Sequence, residues 1–428
     1  MPGSTTHAEF TGELGDVIVV RANDFAFAAI KSDRTVAAWG DAASGGDIHP
    51  ETEAALHDVY AISATDKAFA AVRTDASVVA WGDAGYGGDA SAVSALLTDV
   101  RSVHGNDVAF AAVKFDGSVV AWGSAGAGGA IDAETATVVA EGSGVAPSPG
   151  VYHTQFAFAV VLLTGKVHAW GDAGYGGSIP EAAALRLDGV SQADVVTIGS
   201  TGAAFAALHS DGALTVWGDA TAGGNMDTPT SGTADAVSSR GVEQVYSTKF
   251  AFAAKLLDGG VLAWGDPNGG GALPTASATA IASAGGVTQV ASTMQAFAVL
   301  TSDGSVAAWG DANFGGDASA VASQLVDAVG IASTQYAFAA RLQGGGVVAW
   351  GDAKAGGYIP PAKQALLSDV VALYSNEVAF VALTSTGTVV TWGDDDAGGD
   401  SSSVGSELVN VQSIESSGSA FTAMCRAA

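Results

Sequence analysis

The chain has 428 residues, of which 48% are hydrophobic and 14% charged, and its 44 Asp and Glu against 16 Lys and Arg give a net charge of −28. A surface this acidic repels phosphate backbones, so we expect no direct nucleic-acid binding. Mean hydropathy is high at +0.31, yet no apolar run reaches the roughly 18 residues that a membrane helix needs. The apolar residues are therefore expected in many buried strands.

The N-terminal segment, residues 1–16, is polar and carries no full copy of the repeat that follows. It lacks a signal-peptide pattern, and Cys425 is the single cysteine, which excludes a disulfide framework and a Cys-based metal site. These features favour a cytoplasmic protein, or a sequence that begins after processing. Residues His7 to Thr11 are a candidate for a strand that closes the repeat array.

From Val17 onward one unit recurs, built from an Ala-Phe-Ala-Ala run, a turn and a run that ends in Trp-Gly. The interval from each Phe to its Trp is twelve residues in all nine copies, whereas the interval from Trp to the next Phe varies between 29 and 36. The constant interval indicates a rigid structural element, and the variable interval indicates loops that tolerate insertions. The nine pairs are Phe27 and Trp39, Phe69 and Trp81, Phe110 and Trp122, Phe158 and Trp170, Phe205 and Trp217, Phe252 and Trp264, Phe297 and Trp309, Phe338 and Trp350, and Phe380 and Trp392.

Each pair of runs is predicted to form a β-hairpin, because an Asp/Gly turn signal such as Ser302-Asp303-Gly304 lies between them. Asp33 is the midpoint between Phe27 and Trp39, so a three-residue loop would place the two rings directly opposite each other. A one-residue insertion would turn every later side chain to the other face of the sheet. We therefore interpret the nine aromatic pairs as repeated core and reject a stacking platform for sugars or bases.

A third strand is predicted before each hairpin, as in Val59-Tyr60-Ala61-Ile62. Successive Trp residues lie 41 to 48 residues apart, a period that with three or four strands suits a β-propeller blade. A Gly-Gly turn follows most of the tryptophans, and after it we expect an irregular segment with some helix. Four insertions are the first candidates for specificity loops: 131–152, 179–195, 225–241 and 272–288.

The C-terminal stretch from Val411 to Met424 supplies a tenth first strand and a tenth Ala-Phe strand, but no tenth Trp strand. The sequence thus predicts ten first strands and ten Ala-Phe strands, but nine Trp strands. We predict an all-β tandem-repeat β-propeller of nine to ten blades, in which residues 17–428 form a single domain. The alternative is an open or superhelical repeat array.

The repeats resemble those of the regulator of chromosome condensation family over about residues 17–424, most closely at 303–311, where Asp-Gly precedes a strand ending in Trp-Gly-Asp. The resemblance implies a propeller, but that family usually has seven blades, and its Gly-Gln-Leu-Gly turn is replaced here by Gly-Gly-Asp. The acidic balance argues against the founding member's chromatin-binding role. No functional residue is carried over. Bacterial β-lactamase inhibitory proteins of similar repeat imply that such a scaffold can serve protein binding alone.

Carboxylates recur around the Gly-Gly turn, one directly after Trp-Gly and a second six residues later. Such pairs could hold Ca²⁺, which takes six to eight oxygen ligands, but the first Asp is better explained as a cap that accepts backbone N–H bonds. Ser124, which replaces Asp once, suits the capping role. The candidate calcium ligands are Asp41, Asp47, Asp83, Asp89, Asp311, Asp317, Asp394 and Asp400.

Nothing in the sequence indicates an enzyme. The seven histidines occupy unrelated places in the repeat, and there is no phosphate-binding loop and no Gly-x-Ser-x-Gly motif. We expect a non-catalytic protein-interaction scaffold with no cofactor except Ca²⁺ at these turns, whose partner is a protein, in particular a basic one. The alternative is an acidic structural or matrix protein that self-associates with or without calcium. A nucleotide-exchange factor for a small GTPase is the least supported option.

Overall fold

The computed structural model describes residues 17–141, 144–147, 150–190, 194–226, 237, 239–416, 418 and 420–425. Within these ranges the chain forms nine three-stranded antiparallel sheets and one two-stranded sheet, each with its strands in sequence order. The predicted all-β fold of propeller-type repeats is confirmed at the level of its units, and the tenth unit has two strands among the residues that the structure describes. The candidate strand from His7 to Thr11 lies outside the described residues.

The sheets define ten repeats. Repeats 1 to 3 contain β1 (Val17–Ala22), β2 (Ala26–Lys31), β3 (Val36–Gly40); β4 (Val59–Ala64), β5 (Ala68–Arg73), β6 (Val78–Gly82); and β7 (Val100–Gly105), β8 (Ala109–Lys114), β9 (Val119–Gly123). Repeats 4 to 6 contain β10 (Val151–His153), β11 (Ala157–Val161), β12 (Val167–Gly171); β13 (Val195–Ser200), β14 (Ala204–His209), β15 (Leu214–Gly218); and β16 (Val242–Ser247), β17 (Ala251–Leu256), β18 (Val261–Gly265). Repeats 7 to 10 contain β19 (Val287–Ser292), β20 (Ala296–Thr301), β21 (Val306–Gly310); β22 (Ala328–Ser333), β23 (Ala337–Leu342), β24 (Val347–Gly351); β25 (Val370–Ser375), β26 (Ala379–Thr384), β27 (Val389–Gly393); and β28 (Val411–Ser416), β29 (Phe421–Cys425).

Short helices occupy the connections between repeats, as the sequence predicted. The α-helices are α1 (Pro50–Ala55), α2 (Ala133–Glu141), α3 (Glu181–Ala184), α4 (Thr275–Ser283) and α5 (Pro361–Gln364). Four of them contact the third strand of the following sheet, where they lie beside the edge strand: α1 on β6, α2 on β12, α4 on β21 and α5 on β27. No helix in the described ranges is both long and apolar enough to cross a membrane.

Each third strand is followed by a short turn of 3₁₀ or π type. The 3₁₀ turns after third strands are Ala42–Ser44, Ala84–Tyr86, Ala125–Ala127, Ala173–Tyr175, Ala220–Ala222, Ala312–Phe314 and Asp395–Ala397, the π turns are Pro267–Gly271 and Ala353–Gly357, and further 3₁₀ turns lie at Ser91–Leu96 and Ser319–Val321.

The hairpins have the register that the twelve-residue interval predicts. Phe27 pairs with Trp39 across β2 and β3, and the same pairing recurs in the other hairpins, for example Phe69 with Trp81. The nine ring pairs are stacked, with centroids 5.1–5.5 Å apart and interplanar angles of 10–29°. The backbone N–H of Lys31 donates to the Thr35 carbonyl, which leaves a three-residue loop.

Each sheet has one large-residue face and one small-residue face. In repeat 2, Ile62, Phe69 and Trp81 pack toward repeat 1, against Ala26 and Ala28. The opposite face of repeat 2 presents small residues such as Ala68 and Ala70 to the Phe and Trp of repeat 3. Alternation along β5 produces both faces, because successive side chains point to opposite sides of a strand. The alanines leave room for the next pair of rings, which explains their abundance.

A hydrogen bond fixes each aromatic pair to the repeat before it. The indole Nε1–H of Trp81 donates to the Gly45 carbonyl at 3.0 Å, and seven later tryptophans do the same with the corresponding glycine. These glycines have a positive φ, as at Gly128 with φ +92°, and a Cβ there would lie 2.8 Å from the ring of Phe158. Only glycine meets both requirements.

The chain divides into two compact units, residues 1–210 with 217–219 and residues 211–216 with 220–428. In the first unit the first strands of neighbouring repeats lie in contact, as between β4 and β7, and in the second unit β16, β19, β22, β25 and β28 contact one another in succession. That residues 17–428 behave as a single domain stays a prediction.

Candidate functional site

One end of every complete repeat carries two turns that lie against each other, and we call this end the turn surface. One turn joins the first strand to the second, and the other follows the third strand. The backbone N–H of Asp83, directly after Trp81-Gly82, donates to the Lys67 carbonyl at 2.9 Å, and each complete repeat has the same bond. The turn surface is therefore part of the sheet framework and is positioned by it.

A Thr or Asn side chain joins the two turns through a hydrogen bond to a backbone carbonyl. The Thr65 hydroxyl donates to the Tyr86 carbonyl at 2.9 Å, and the Asn106 amide donates to the Ala127 carbonyl at 2.8 Å. The residue and its acceptor are 21 positions apart in every such bond. Sequence reasoning missed these residues, although a Thr or Asn stands four positions before each Phe of the nine complete repeats.

Backbone hydrogen bonds join the turns of neighbouring repeats into a row. In the first unit the N–H of Asp24 donates to the Asp66 carbonyl, that of Asp66 to Asp107, that of Asp107 to Gln155, and that of Gln155 to Gly202. In the second unit the donors and acceptors follow one another as Lys249, Met294, Gln335, Glu377 and Gly418. Residues more than 40 positions apart in sequence thus become direct neighbours.

In the first unit the turn surface displays acids and aromatic rings side by side. Asp24, Asp66 and Asp107 are consecutive members of the backbone row. The Lys67 ammonium lies between two rings, 5.3 Å from the centroid of Phe25 and 5.0 Å from that of Tyr86. Phe25 is 51% exposed. The surface thus already accommodates a cation, through the attraction between an ammonium and the faces of aromatic rings.

Further aromatic pairs lie on the turn surface in both units. Phe156 contacts Tyr175 edge-on, with centroids 4.6 Å apart, in the first unit. In the second unit Phe314 and Tyr336 lie 5.2 Å apart. The second unit has a mixed charge in its backbone row, with Lys249 and Glu377 in place of the three aspartates. The acidic residues of the backbone row are therefore concentrated in the first unit.

The predicted calcium ligands lie in the turns after the third strands, where most of their side chains accept backbone N–H bonds. Asp83 accepts from Gly85, Asp311 from Asn313 and Asp394 from Asp396, at 2.7–3.0 Å, and Asp41 accepts from both the N–H and the hydroxyl of Ser44. Ser124 makes no such side-chain bond. The second acids cap the next segment in the same way, Asp89 from Ser91, Asp317 from Ser319 and Asp400 from Ser402, while Asp47 is exposed.

Backbone hydrogen bonding also accounts for the acidity of these second carboxyls. The Ser91 N–H lowers the pKa of Asp89, and the corresponding bonds lower the pKa of Asp317 and Asp400. Among the described residues, no group of three or more His, Cys, Asp or Glu is close enough to hold a metal ion. Calcium binding at these turns stays a prediction.

One polar cluster lies on the first strands of repeats 3 and 4. Half-buried His104 lies with its Nε2 3.0 Å from the Ser102 hydroxyl. Burial, with smaller contributions from nearby His153 and Arg101, lowers the pKa of His104 to about 4. His104 is therefore neutral at pH 7. It is a pH-sensitive element of the sheet.

A cavity of about 320 Å³ lies in the insertion 131–152, between the hairpin turn of repeat 3 and α2. Its lining is apolar apart from the turn residues, with Val119, Ile131 and Val139 on its walls. The one ionisable group in that lining, Asp116, already accepts bonds from the Ser118 backbone and hydroxyl. Among the described lining residues, the polar side chains of Asp116 and Ser118 thus already bond to each other.

No protein-family model matches the chain, and no curated protein matches it. Solved structures align with it weakly. For the ectodomain of the Physcomitrella patens receptor kinase CR4, identity is 16% and the TM-score 0.34, over 61% of this chain and 65% of that one. For Prp20p of Saccharomyces cerevisiae, the yeast RCC1 protein, identity is 13% and the TM-score 0.35, over 81% of this chain and 85% of that one. For human WBSCR16, identity is 15% and the TM-score 0.35, over 61% of this chain and 79% of that one.

The Prp20p structure is described together with its binding to Gsp1p and histones, and a second yeast RCC1 structure contains Kap60. TM-scores at this level carry no argument about function. The fold of the present chain rests on its own strand pairing, described above.

Proposed function

We propose that this protein is a non-catalytic scaffold that binds a basic segment of a partner protein through the turn surface of its first unit. The observation that carries the proposal is the placement of Lys67 between Phe25 and Tyr86, next to the row Asp24, Asp66 and Asp107. Aromatic faces and carboxylates both attract Lys and Arg side chains. The net charge of −28 adds long-range attraction for a basic partner.

The rigidity of this surface supports a binding role. Bonds from turn to turn and the buried Thr and Asn residues hold the backbone, so little conformational freedom is lost on binding. The side chains that project from it differ between repeats, which supplies a specific pattern on a repeated frame. Tyr and Phe at such positions are typical of interface centres.

The test uses an Arg-Gly repeat peptide as the probe and measures its affinity by calorimetry at two salt concentrations. The triple variant Asp24→Asn, Asp66→Asn, Asp107→Asn should bind about 10-fold more weakly, since each exposed charge pair contributes roughly 0.2–1 kcal/mol. The matched control Glu51→Gln, Glu53→Gln, Glu134→Gln removes the same charge from exposed helical positions of the first unit. It should change affinity less than 3-fold.

If the two triple variants lose affinity equally, net charge alone explains the binding. That result would contradict a site on the turn surface. The variant Phe25→Ser separates the aromatic contribution, because it leaves the net charge unchanged. A thermal melt of each variant establishes that the sheets remain folded.

A second candidate function, self-association, is favoured by the exposure of repeat 1. Phe27 and Trp39 are only half-buried and Val20 is 37% exposed, whereas Ile62, at the place of Val20 in repeat 2, is 5% exposed. We infer that this apolar face can pack against a second copy. Sizing chromatography across a concentration series, with and without millimolar Ca²⁺, tests it. A monomer under all conditions, with no thermal shift on adding Ca²⁺, would remove both self-association and the calcium role.

A further inference from the structure

Within the described residues, the tenth repeat has an open strand edge. In each of the nine complete repeats the second strand lies between a first and a third strand, whereas β29 pairs only with β28 in the part of the chain that the structure describes. An edge of this kind presents unpaired backbone N–H and C=O groups that can accept another strand.

A cavity of about 120 Å³ lies beside this edge. Its walls come from the small-residue face of repeat 9 (Val381, Val389 and Thr391), from Val404 in the preceding connection, and from Phe421 and Ala423 of β29. Phe421 corresponds to the Phe of every complete repeat, since it pairs with Ser416 as Phe380 pairs with Ser375. The cavity is therefore in the place that a third-strand Trp fills elsewhere.

The acceptor glycine for that absent ring is also present. Gly398 has φ +92°, and a Cβ there would lie 2.9 Å from the Phe421 ring. Gly356 has the same conformation, packs on Phe380, and accepts the indole N–H of Trp392 at 2.9 Å. Gly398 thus occupies the position of the glycines that receive a Trp in the other repeats.

The chain itself shows what such a groove binds. All nine third strands have Val or Leu three positions before Trp and Gly directly after it, and seven of them have an apolar residue two positions before Trp. In repeat 9 the Trp392 side chain is fully buried, and Val390 pairs with Ala382. The equivalent partners in repeat 10 are Phe421 for Trp and Ala423 for the apolar residue.

We propose that the tenth repeat is an acceptor groove for an extended segment of another protein, with the pattern Val-apolar-x-Trp-Gly, which adds to β29 as an antiparallel third strand. Its Trp ring stacks on Phe421 and donates its N–H to the Gly398 carbonyl. Its preceding apolar residue lies opposite Ala423 and covers Val381 and Val389. Backbone bonds to β29 supply affinity and the ring supplies specificity. The site is separate from the turn surface and does not depend on the function proposed above.

The probe is the labelled peptide Thr-Val-Val-Thr-Trp-Gly-Asp, which copies residues 388–394, titrated into the full chain and followed by fluorescence anisotropy. Saturable binding is expected, and the same peptide with Ala in place of Trp should bind at least 10-fold more weakly. Hydrogen exchange should show new protection, when the first peptide is bound, of those backbone amides of residues 421–425 that do not already bond to β28.

Two acceptor variants complete the test. Val404→Trp places a ring at the mouth of the cavity, at a residue that is 42% exposed, and should abolish binding without lowering the melting temperature. Phe421→Ala removes the stacking partner and should weaken binding at least 10-fold. The proposal is overturned if the Trp and Ala peptides bind equally, or if Val404→Trp binds like the wild type. If the β29 amides that do not bond to β28 are already protected without peptide, the chain fills its own groove, which also overturns binding in trans.

Discussion

Two regions of each repeat differ in how much their residues vary. One is the face that packs on the next repeat, and the other is the pair of turns at the end of the repeat. The packing face has Phe and Trp at a constant interval in all nine complete repeats, with Gly-Gly after most tryptophans. On the turn surface, the position after the buried Thr or Asn is Asp, Gln, Gly, Lys, Met or Glu. A ring that fills a cleft between alanines cannot change size without cost, whereas a turn side chain that points to solvent can change freely. The constant residues therefore serve stability, and the variable turn residues are available for recognition.

The largest effect is expected from a methyl group on the packing face. Gly128→Ala forces an alanine to φ +92° and places its Cβ 2.8 Å from the Phe158 ring. Backbone strain and overpacking together should cost about 3 kcal/mol. Gly126→Ala, two residues away in the same turn, meets no atom within 4 Å. It should change stability by less than about 0.5 kcal/mol. Urea midpoints of the two variants measure the difference, and equal midpoints would contradict the packing argument.

A smaller effect is expected in the hairpin turns, where backbone conformation acts without packing. Ala76 adopts φ +64° at a position that is Gly in repeats 3 to 9, as at Gly165 with φ +82°. Ala76→Gly should therefore stabilise the protein by up to about 1 kcal/mol. Gly165→Ala should destabilise it by about 1 kcal/mol, since the nearest atom to its Cβ is 3.5 Å away and strain acts alone. Thermal melts that shift in the same direction for both variants would refute this reading.

A further effect appears only on acidification. The pKa of His104 falls from 6.5 to about 4 on folding. As the pH is lowered, the unfolded chain therefore binds a proton at a higher pH than the folded chain. The stability that neutral His104 provides is complete above pH 6.5 and declines as the pH falls toward 4. His104→Gln should lose less stability over this window than the wild type. Parallel pH profiles, or an NMR titration of His104 near pH 6.5, would contradict the assignment.

Much of the repeat could be predicted because its information is local. The interval from Phe27 to Trp39 predicts the hairpin, its three-residue loop and the stacking of the rings, and all three are present. The capping bonds of Asp83 and Asp311 also follow from short-range turn chemistry, although Ser124 does not form one. The hydrogen bond from Thr65 to Tyr86 was missed, since its acceptor is a backbone carbonyl 21 residues away.

By itself the sequence determined the hairpin, its register and the two faces of each sheet, because these depend on alternation and on intervals of a few residues. Only the tertiary structure decided that Asp24, Asp66 and Asp107 form one row, that Lys67 lies between Phe25 and Tyr86, and that Phe421 borders a cavity. These contacts join successive repeats across connections of 29 to 36 residues from Trp to Phe. The loop lengths vary, so proximity arises from how one sheet packs on the next and cannot be counted along the chain.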